Sequence, residues 1–116
     1  MKKSTIIWLI LCLLSVHLNA KPLLITDHIK AESIKQANAD IKNGKLKLLI
    51  QGGIVATRVK GQERFERKYG VVYFDLGCVG PSDIRIEDYN KVVASFMDKK
   101  YGKAWRKEVR KDVRGI

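Results

Sequence analysis

The stretch GQERFERKYGVVYFDLGCV, residues 61–79, joins the two clearest secondary-structure signals in this chain. In its first half Phe65 and Tyr69 lie four residues apart, on one face of a helix, and Gly70 is a typical helix stop. Its second half is rich in β-branched and aromatic residues, which favour a strand. The strand face opposite Asp75 is wholly apolar: Val72, Phe74 and Leu76. We therefore predict a short helix that leads directly into a strand.

A second strand is predicted in KLKLLIQ, residues 45–51, where apolar residues alternate. The pair Gly52-Gly53 that follows has two interpretations. It is either a two-residue hairpin turn into IVATRV, residues 54–59, as an antiparallel strand, or an irregular exit toward the next helix. A phosphate-binding loop is only weakly supported, because the two glycines lack the longer glycine patterns of such loops.

A long helix is predicted within residues 24–45, LITDHIKAESIKQANADIKNGK. Thr26 or Asp27 would cap its start, and Asn43-Gly44 would end it. Its apolar residues recur at spacings of three and four: Ala31, Ile34, Ala37 and Ile41. Because this stripe is narrow and rich in alanine, we expect the helix to lie on the surface of the core.

The last third of the chain has two apolar stripes that one straight helix cannot bury together. The first stripe is made of Tyr89, Val92, Val93, Phe96 and Met97. Ser82 or Asp83 would cap this helix. At about 100° per residue, the second stripe falls on nearly the opposite side. It is made of Trp105, Val109 and Val113. We therefore predict a break at Gly102 and a second helix over residues 101–116.

This second helix would carry a strongly basic face: Lys103, Arg106, Lys107, Arg110, Lys111 and Arg114. Glu108 and Asp112 lie at the border of its apolar stripe, where a helix on anionic lipid would place cations. The two acids therefore favour docking against protein. Their candidate partners are Arg58, Arg64 and Arg67.

The basic face itself has several interpretations. A solvated surface is the usual role of such a charge run. The alternatives are a surface for polyanions and a contact for an anionic envelope protein, a glycan or a lipid. Nucleic acid is disfavoured, because the aromatic residues lie on the inward stripe and not among the cations, where base stacking would need them.

The N-terminus has the layout of a secretory signal peptide over residues 1–20. Lys2 and Lys3 precede the apolar run IIWLILCLLSV, and the small residue Ala20 closes the stretch. This run is shorter than the roughly 20 residues that span a bilayer. Cleavage would leave residues 21–116, one domain of 96 residues, and would lower the net charge from +11 to +9. We expect an exported basic protein, periplasmic or secreted, with no transmembrane segment after cleavage.

Cysteine and histidine are too few for most sites that depend on them. After cleavage only Cys78 and His28 remain. A lone thiol excludes an internal disulfide, and a structural zinc site would need further soft ligands. We therefore predict neither a metal nor a cofactor. Cys78 is a buried small hydrophobe, an intermolecular bridge or a reactive thiol.

These elements predict a single small α/β or α+β domain. A short sheet of two to three strands would be covered by three to four helices, with the C-terminal helical pair broken at Gly102. If the two strands run parallel, their carboxyl ends lie side by side, where ligands of open α/β sheets tend to bind. The candidate ligand-binding residues at this edge are Gln51, Gly52, Gly53, Asp75 and Cys78.

The second half of the chain contains two further patterns: FERKYGVVYFDLGC, residues 65–78, and YNKVVASFMDKKYGKAWRKEVRKDVRG, residues 89–115. Together they resemble a family of small exported bacterial proteins of Bacteroidetes type, with a Phe-Glu-x-Lys-Tyr helix, an Asp-x-Gly-Cys strand end and a Lys-Lys-Tyr-Gly…Trp…Glu-Val stretch. Arg67 stands where the family pattern has Lys. The resemblance implies export and a shared framework of Asp75, Gly77, Cys78, Tyr101, Gly102 and Trp105. It implies no particular activity.

No stretch of the sequence matches a catalytic or metal-binding signature at specific spacing. We therefore favour a non-catalytic binding protein of the cell envelope that uses the strand-end edge or the basic face. One alternative is a small enzyme or thiol protein in which His28 activates Cys78 as a nucleophile. Another is a polyanion binder that uses the basic helix. The site residues also have a structural interpretation, in which Asp75 caps a turn and Cys78 fills the core.

Overall fold

Two short parallel strands form the centre of the fold. The computed structural model describes residues 25–116. Strand β1 spans Lys47–Ile50 and strand β2 spans Val72–Asp75, with Leu48 level with Tyr73. Within residues 25–116 there are three α-helices, α1 (Ile25–Lys42), α2 (Gln62–Tyr69) and α3 (Ile86–Tyr101), and one 3-10 turn, Ala104–Lys107. The predicted α+β class is thereby confirmed, and the predicted signal peptide lies outside the described residues.

The parallel pairing decides between the two interpretations of Gly52-Gly53. Residues 51–60 contain no strand, so the hairpin prediction is wrong and the chain leaves β1 irregularly toward α2. The edge of β1 away from β2 is already occupied by a side chain. The Asn90 amide accepts a hydrogen bond from the Leu49 N–H and donates one to the Leu49 carbonyl, both at 2.8 Å. A third strand would have no free edge of β1 to join.

Burial of the two strands differs. In β1 the apolar residues of both faces are buried, including Leu48 and Leu49. In β2 the wholly apolar face is the more exposed one, because Val72 and Phe74 are about half exposed while Tyr73 is buried. The Phe65 ring of α2 stacks on Tyr73 at 5.3 Å and covers that side. The alternating residue pattern of β2 therefore predicted the position of the strand but did not indicate which of its faces is covered.

Helix α1 docks partly through polar groups that a hydrophobic pattern overlooks. Its buried residues are Ser33, Ala37 and Asp40, whereas Ala31 of the predicted stripe is exposed. The Ser33 hydroxyl accepts the Arg85 N–H at 2.8 Å. The Asp40 carboxylate accepts the Tyr89 hydroxyl at 2.7 Å and pairs with the Lys47 ammonium at 3.0 Å.

Two of the predicted helix starts are wrong. Helix α1 begins at Ile25, so Thr26 and Asp27 lie inside its first turn. Helix α3 begins at Ile86, after the extended residue Arg85. Its predicted caps, Ser82 and Asp83, lie in the preceding turn. The predicted ends are correct, because α1 is followed by a turn at Asn43-Gly44 and α2 by left-handed Gly70.

The C-terminal segment, residues 103–116, confirms one prediction and corrects another. Helix α3 stops at Gly102, which has a φ of 71°, so the predicted break is present. The predicted second helix is wrong, because only Ala104–Lys107 forms a 3-10 turn and the remainder is irregular. Trp105, Val109 and Val113 are nevertheless buried, as their spacing predicted.

Side chains of the body replace the helical hydrogen bonds of this segment. The Asn90 amide donates to the Arg114 carbonyl at 2.8 Å, and the Tyr73 hydroxyl accepts the Arg110 N–H at 3.2 Å. Gly115, at φ 85°, packs so tightly that a Cβ would overlap the Glu87 backbone. These contacts hold the backbone on a path that a regular helix could not follow.

Candidate functional site

Residues 51–60 and 76–81 form a rim at the carboxyl ends of the parallel strands. Asp75, the last residue of β2, joins the two loops. Its Oδ1 accepts the Gly52 N–H at 3.1 Å and the Gly77 N–H at 2.7 Å. A Cβ at Gly52 would overlap the Asp75 carboxylate, so glycine is required there for close approach. Asp75 thus caps a turn, as the structural interpretation predicted.

Gln51 forms the second link across the rim. Its Nε2 donates to the Cys78 carbonyl at 3.1 Å, and its Oε1 accepts the Arg114 guanidinium at 2.9 Å. Arg114 also pairs with Glu87 at 3.2 Å. The predicted set of Gln51, Gly52, Gly53, Asp75 and Cys78 is therefore assembled at one edge of the sheet.

Most polar groups of this set already have partners within the protein. Asp75 uses its carboxylate to hold two backbone N–H groups, which leaves neither of them directed at a ligand. The cavity beside the rim, lined by Gln51, Leu76 and Arg114 among others, has a volume of about 240 Å³. Small-molecule sites are usually larger, at about 300–1,000 Å³. The polar part of the rim is thus a support for its loops rather than a formed ligand pocket.

Cys78 is exposed, so the interpretation in which it fills the core is wrong. His28 lies exposed near the start of α1, and no hydrogen bond joins it to Cys78 among residues 25–116. The base that would activate the thiol is therefore not in contact with it. Within the same residues, no group of three or more His, Cys, Asp or Glu side chains is placed to hold a metal ion.

Sequence analysis missed the most exposed residues of the rim. Ile54 is 94% exposed, Val55 is 76% exposed and Val79 is 88% exposed. Ile54 and Val55 belong to the first loop and Val79 to the second, and the links through Gln51 and Asp75 bring the loops together. The signal for Ile54 and Val55 was present as an apolar pair after two glycines, but it was considered only as the possible start of a strand or as part of an irregular exit.

The predicted basic face does not form a single helical face. Arg106 makes two hydrogen bonds to Asp98, at 3.0 and 2.9 Å. Arg110 is paired with Asp112, also donates to the Thr57 carbonyl, and lies over the Tyr73 ring. Three exposed lysines have no ion-pair partner among residues 25–116: Lys103, Lys107 and Lys111. Half of the predicted cations therefore stabilise the protein's own fold.

The two acids of the segment also have partners other than those predicted. Glu108 accepts the Lys68 ammonium at 2.7 Å and the Tyr69 hydroxyl at 2.9 Å, and so docks the segment on α2. Asp112 pairs with its neighbour Arg110 at 2.6 Å. Docking through Glu108 is thus observed, but with Lys68 in place of the three proposed arginines.

These contacts shift the pKa values of the groups involved. The Lys68 ammonium and the Tyr69 hydroxyl hold the pKa of Glu108 below its usual value. The Arg106 guanidinium, with the Trp105 indole N–H, lowers the pKa of Asp98 in the same way. Burial raises the pKa of Tyr73 to about 12, so its hydroxyl keeps its proton at neutral pH. These three groups hold the C-terminal segment in place, and none of them is bonded to Cys78.

The described part of the chain, residues 25–116, has no helix both long and apolar enough to cross a membrane. Comparison of the sequence and fold with known protein families, curated proteins and solved structures found no match. Function is therefore inferred from the contacts, burial and charge of the protein's own residues.

Proposed function

We propose that this protein is an exported, non-catalytic binding protein of the cell envelope that contacts an anionic protein partner through its rim. Three exposed aliphatic side chains on the two rim loops support this proposal: Ile54, Val55 and Val79. Exposed apolar surface beyond scattered single side chains is typical of interaction sites, and two joined loops that expose three aliphatic side chains fit that description. The loops that carry these side chains are joined by Gln51 and Asp75, which limits the ordering that binding would require.

The charge of the chain supports an anionic partner. The first loop carries exposed Lys60 and Arg58, of which Arg58 pairs with Glu63, and Arg114 beside the rim pairs with Glu87. The net charge of +11, or +9 after the predicted cleavage, would steer an acidic surface toward the protein. Apolar residues at the centre with charges around them match the arrangement of many protein interfaces.

Site-specific photo-crosslinking in the protein's own cells tests this proposal. With a photo-reactive amino acid at Val79, we expect one discrete adduct with an acidic protein. The double change Ile54→Ser/Val55→Ser should reduce that adduct about fivefold or more, because burying each side chain contributes about 1.5 kcal/mol or more. The matched control Ile25→Ser removes an exposed aliphatic side chain from α1 and should leave the adduct unchanged.

Two results would refute the rim interface. One is the absence of any adduct at Val79 while the protein is exported and folded. The other is the same adduct, at equal yield, from a photo-reactive residue at Lys35 on the exposed side of α1. An adduct whose crosslinked peptide is basic would refute the anionic partner.

A polyanion-binding role is the second candidate function, supported by the exposed lysines Lys103, Lys107 and Lys111. Retention on heparin, measured against salt, tests it. Elution below about 0.2 M salt would leave no specific role for these cations, because binding through several charges is retained to higher salt.

A thiol function is the third candidate, and the exposure of Cys78 on the rim favours it. Alkylation of the native protein at several pH values tests it. A catalytic thiolate should react faster than a free cysteine at neutral pH. A rate equal to that of a free cysteine would refute the nucleophile.

A further inference from the structure

A second surface, remote in sequence from the rim loops, lies between α1 and α3. It is an open groove of about 560 Å³. Two apolar residues of each helix form its floor: Ile34 and Ile41 of α1, and Val92 and Phe96 of α3. All four are half-buried and line the groove, and three of them, Ile41, Val92 and Phe96, also pack against the core.

The floor residues form an apolar stripe along a groove that the polar side chains of Asn38 and Ser95 also line. Ile34 and Ile41 are seven residues apart, or two turns of α1, and Val92 and Phe96 are four apart, or about one turn of α3. The stripe therefore extends over roughly 10 Å, at a rise of about 1.5 Å per residue. Such a length matches two or three turns of another helix.

The margins of the groove are positive. Lys30, Lys91 and Lys99 line it, are exposed, and have no ion-pair partner among residues 25–116. The one carboxylate in the lining, Asp88, lies 2.9 Å from the Arg85 guanidinium, which offsets its charge. An occupant with acidic margins would meet three unpaired cations.

We propose that this groove binds an amphipathic helix of another protein, with an apolar stripe on the floor and acidic residues facing Lys30, Lys91 and Lys99. A groove between two packed helices suits a third helix, whose side chains fill the spaces between theirs. The floor presents side chains only, so an extended peptide would leave its backbone N–H and C=O groups unpaired there. A helix satisfies those groups internally.

An acyl chain fits the groove less well. Sites for small ligands bury about 70–90% of the ligand surface. This groove is open along its length, so it would cover an acyl chain on one side only. A lipid is therefore an outcome that the test must separate from the helix.

The rim and the groove are independent surfaces. No rim residue lines the groove, and no groove residue belongs to the rim loops. A failure of rim crosslinking would leave the groove proposal intact, and a failure of helix binding would leave the rim proposal intact.

Fluorescence anisotropy with a labelled peptide tests the groove. The probe is a 16-residue helical peptide with leucines at i, i+3, i+4 and i+7 and glutamates beside them. We expect saturable binding to the purified protein. A peptide of the same composition in scrambled order, and one with lysines in place of the glutamates, should each bind at least about tenfold more weakly, or about 1.4 kcal/mol.

Charge reversal locates the site. The triple change Lys30→Glu/Lys91→Glu/Lys99→Glu should weaken peptide binding about tenfold or more while preserving the fold, because all three side chains are exposed. The matched control Lys103→Glu/Lys107→Glu/Lys111→Glu makes the same change in net charge away from the groove. It should change the affinity less than about threefold.

Several outcomes would overturn the proposal. They are no binding at peptide concentrations up to about 1 mM, equal binding of the scrambled peptide, and equal losses in the two triple variants. Binding to phosphatidylglycerol vesicles that the groove triple abolishes, without peptide binding, would identify a lipid as the occupant and would also refute the helix.

Discussion

The first rim loop, residues 51–60, and the C-terminal segment, residues 103–116, are both largely irregular, yet they treat their apolar residues in opposite ways. In the loop Ile54 and Val55 are exposed to solvent. In the segment Trp105 and Val109 are buried in the core. An irregular backbone is therefore common to a region that buries its apolar residues and to a region that exposes them.

The number of contacts to the body explains the difference. The C-terminal segment receives hydrogen bonds from Asn90 and Tyr69 and gives one to Tyr73. Beyond Gly52, the loop's hydrogen bonds to other elements lie at its far end, where the Thr57 carbonyl accepts Arg110 and Arg58 and Val59 bond to α2. In the segment, hydrogen bonds from side chains take the place of the backbone hydrogen bonds of a helix. Of the two regions, only the one held in this way buries its apolar residues.

Replacing the largest buried side chain of the segment should have the largest effect. Trp105→Ala should lower the free energy of unfolding by about 3–5 kcal/mol, because it leaves a cavity and removes the indole N–H bond to Asp98. Urea denaturation measures this loss. Trp105→Phe, the control, keeps most of the volume and should lose less. A loss below about 1 kcal/mol for the alanine variant would show that the segment is not part of the core.

Removing the Asn90 amide should have the next largest effect. Asn90→Ala leaves both backbone groups of Leu49 and the Arg114 carbonyl without their partner, so we expect a loss of about 2 kcal/mol or more. Denaturation measures the loss, and limited proteolysis should show faster cleavage near Arg114. Asn90→Asp keeps an oxygen that can accept the Leu49 N–H, so it should be less destabilising than Asn90→Ala at neutral pH if that hydrogen bond is the most important of the three. Equal stability of Asn90→Ala and the wild type would refute the role of Asn90 as an anchor.

Acid should weaken the anchoring of the C-terminal segment. The pKa values of Asp98 and Glu108 are lowered in the folded state by Arg106 and Lys68, so below their ordinary values of about 4 the unfolded chain binds more protons. The contribution of these two carboxylates to stability is therefore complete above that pH, and it is lost as the pH falls through their lowered pKa values. Melting temperature against pH measures this decline. Asp98→Asn should flatten it, and an unchanged slope in that variant would contradict the assignment.

Matched serine substitutions compare the two regions directly and include the smallest effect. Ile54→Ser/Val55→Ser should change the free energy of unfolding by no more than about 0.5 kcal/mol, as is usual at exposed sites. Val109→Ser/Val113→Ser makes two aliphatic-to-serine changes in the segment, where both side chains are buried, and should be strongly destabilising. Urea denaturation of both variants is the measurement. Equal losses would mean that the loop also contributes to the core.

Much of the fold could be predicted from short windows of sequence. The end of α2 at Gly70, the strand that follows it and the break at Gly102 all depend on neighbouring residues. The burial of Trp105 was also predictable, since apolar spacing alone indicates an inward stripe. Spacing could not predict the backbone path of that stripe. Apolar residues four positions apart can be buried by a helix or by an irregular segment that side-chain hydrogen bonds hold in place.

The candidate site was predicted only in part. Gln51, Asp75 and Cys78 meet at the rim because the strands run parallel, which the sequence left open. For Ile54 and Val55 the sequence left a strand and an irregular exit open, since nothing local indicates that Asn90 already occupies the available edge of β1. That contact joins residues 41 positions apart in the chain.

The sequence by itself determined the approximate positions of α1, α2, α3 and the two strands, the glycines at which the helices end and how strongly basic the chain is, because dihedral preference, periodicity and charge act over a few residues. Tertiary structure alone decided that the strands pair in parallel, that the C-terminal segment forgoes a helix and that half of its basic residues bind the protein's own acids and carbonyls. Those outcomes depend on Asn90, Tyr73 and Asp98 meeting partners in other elements. A hydrogen bond between distant residues exists only once the chain has brought both ends together.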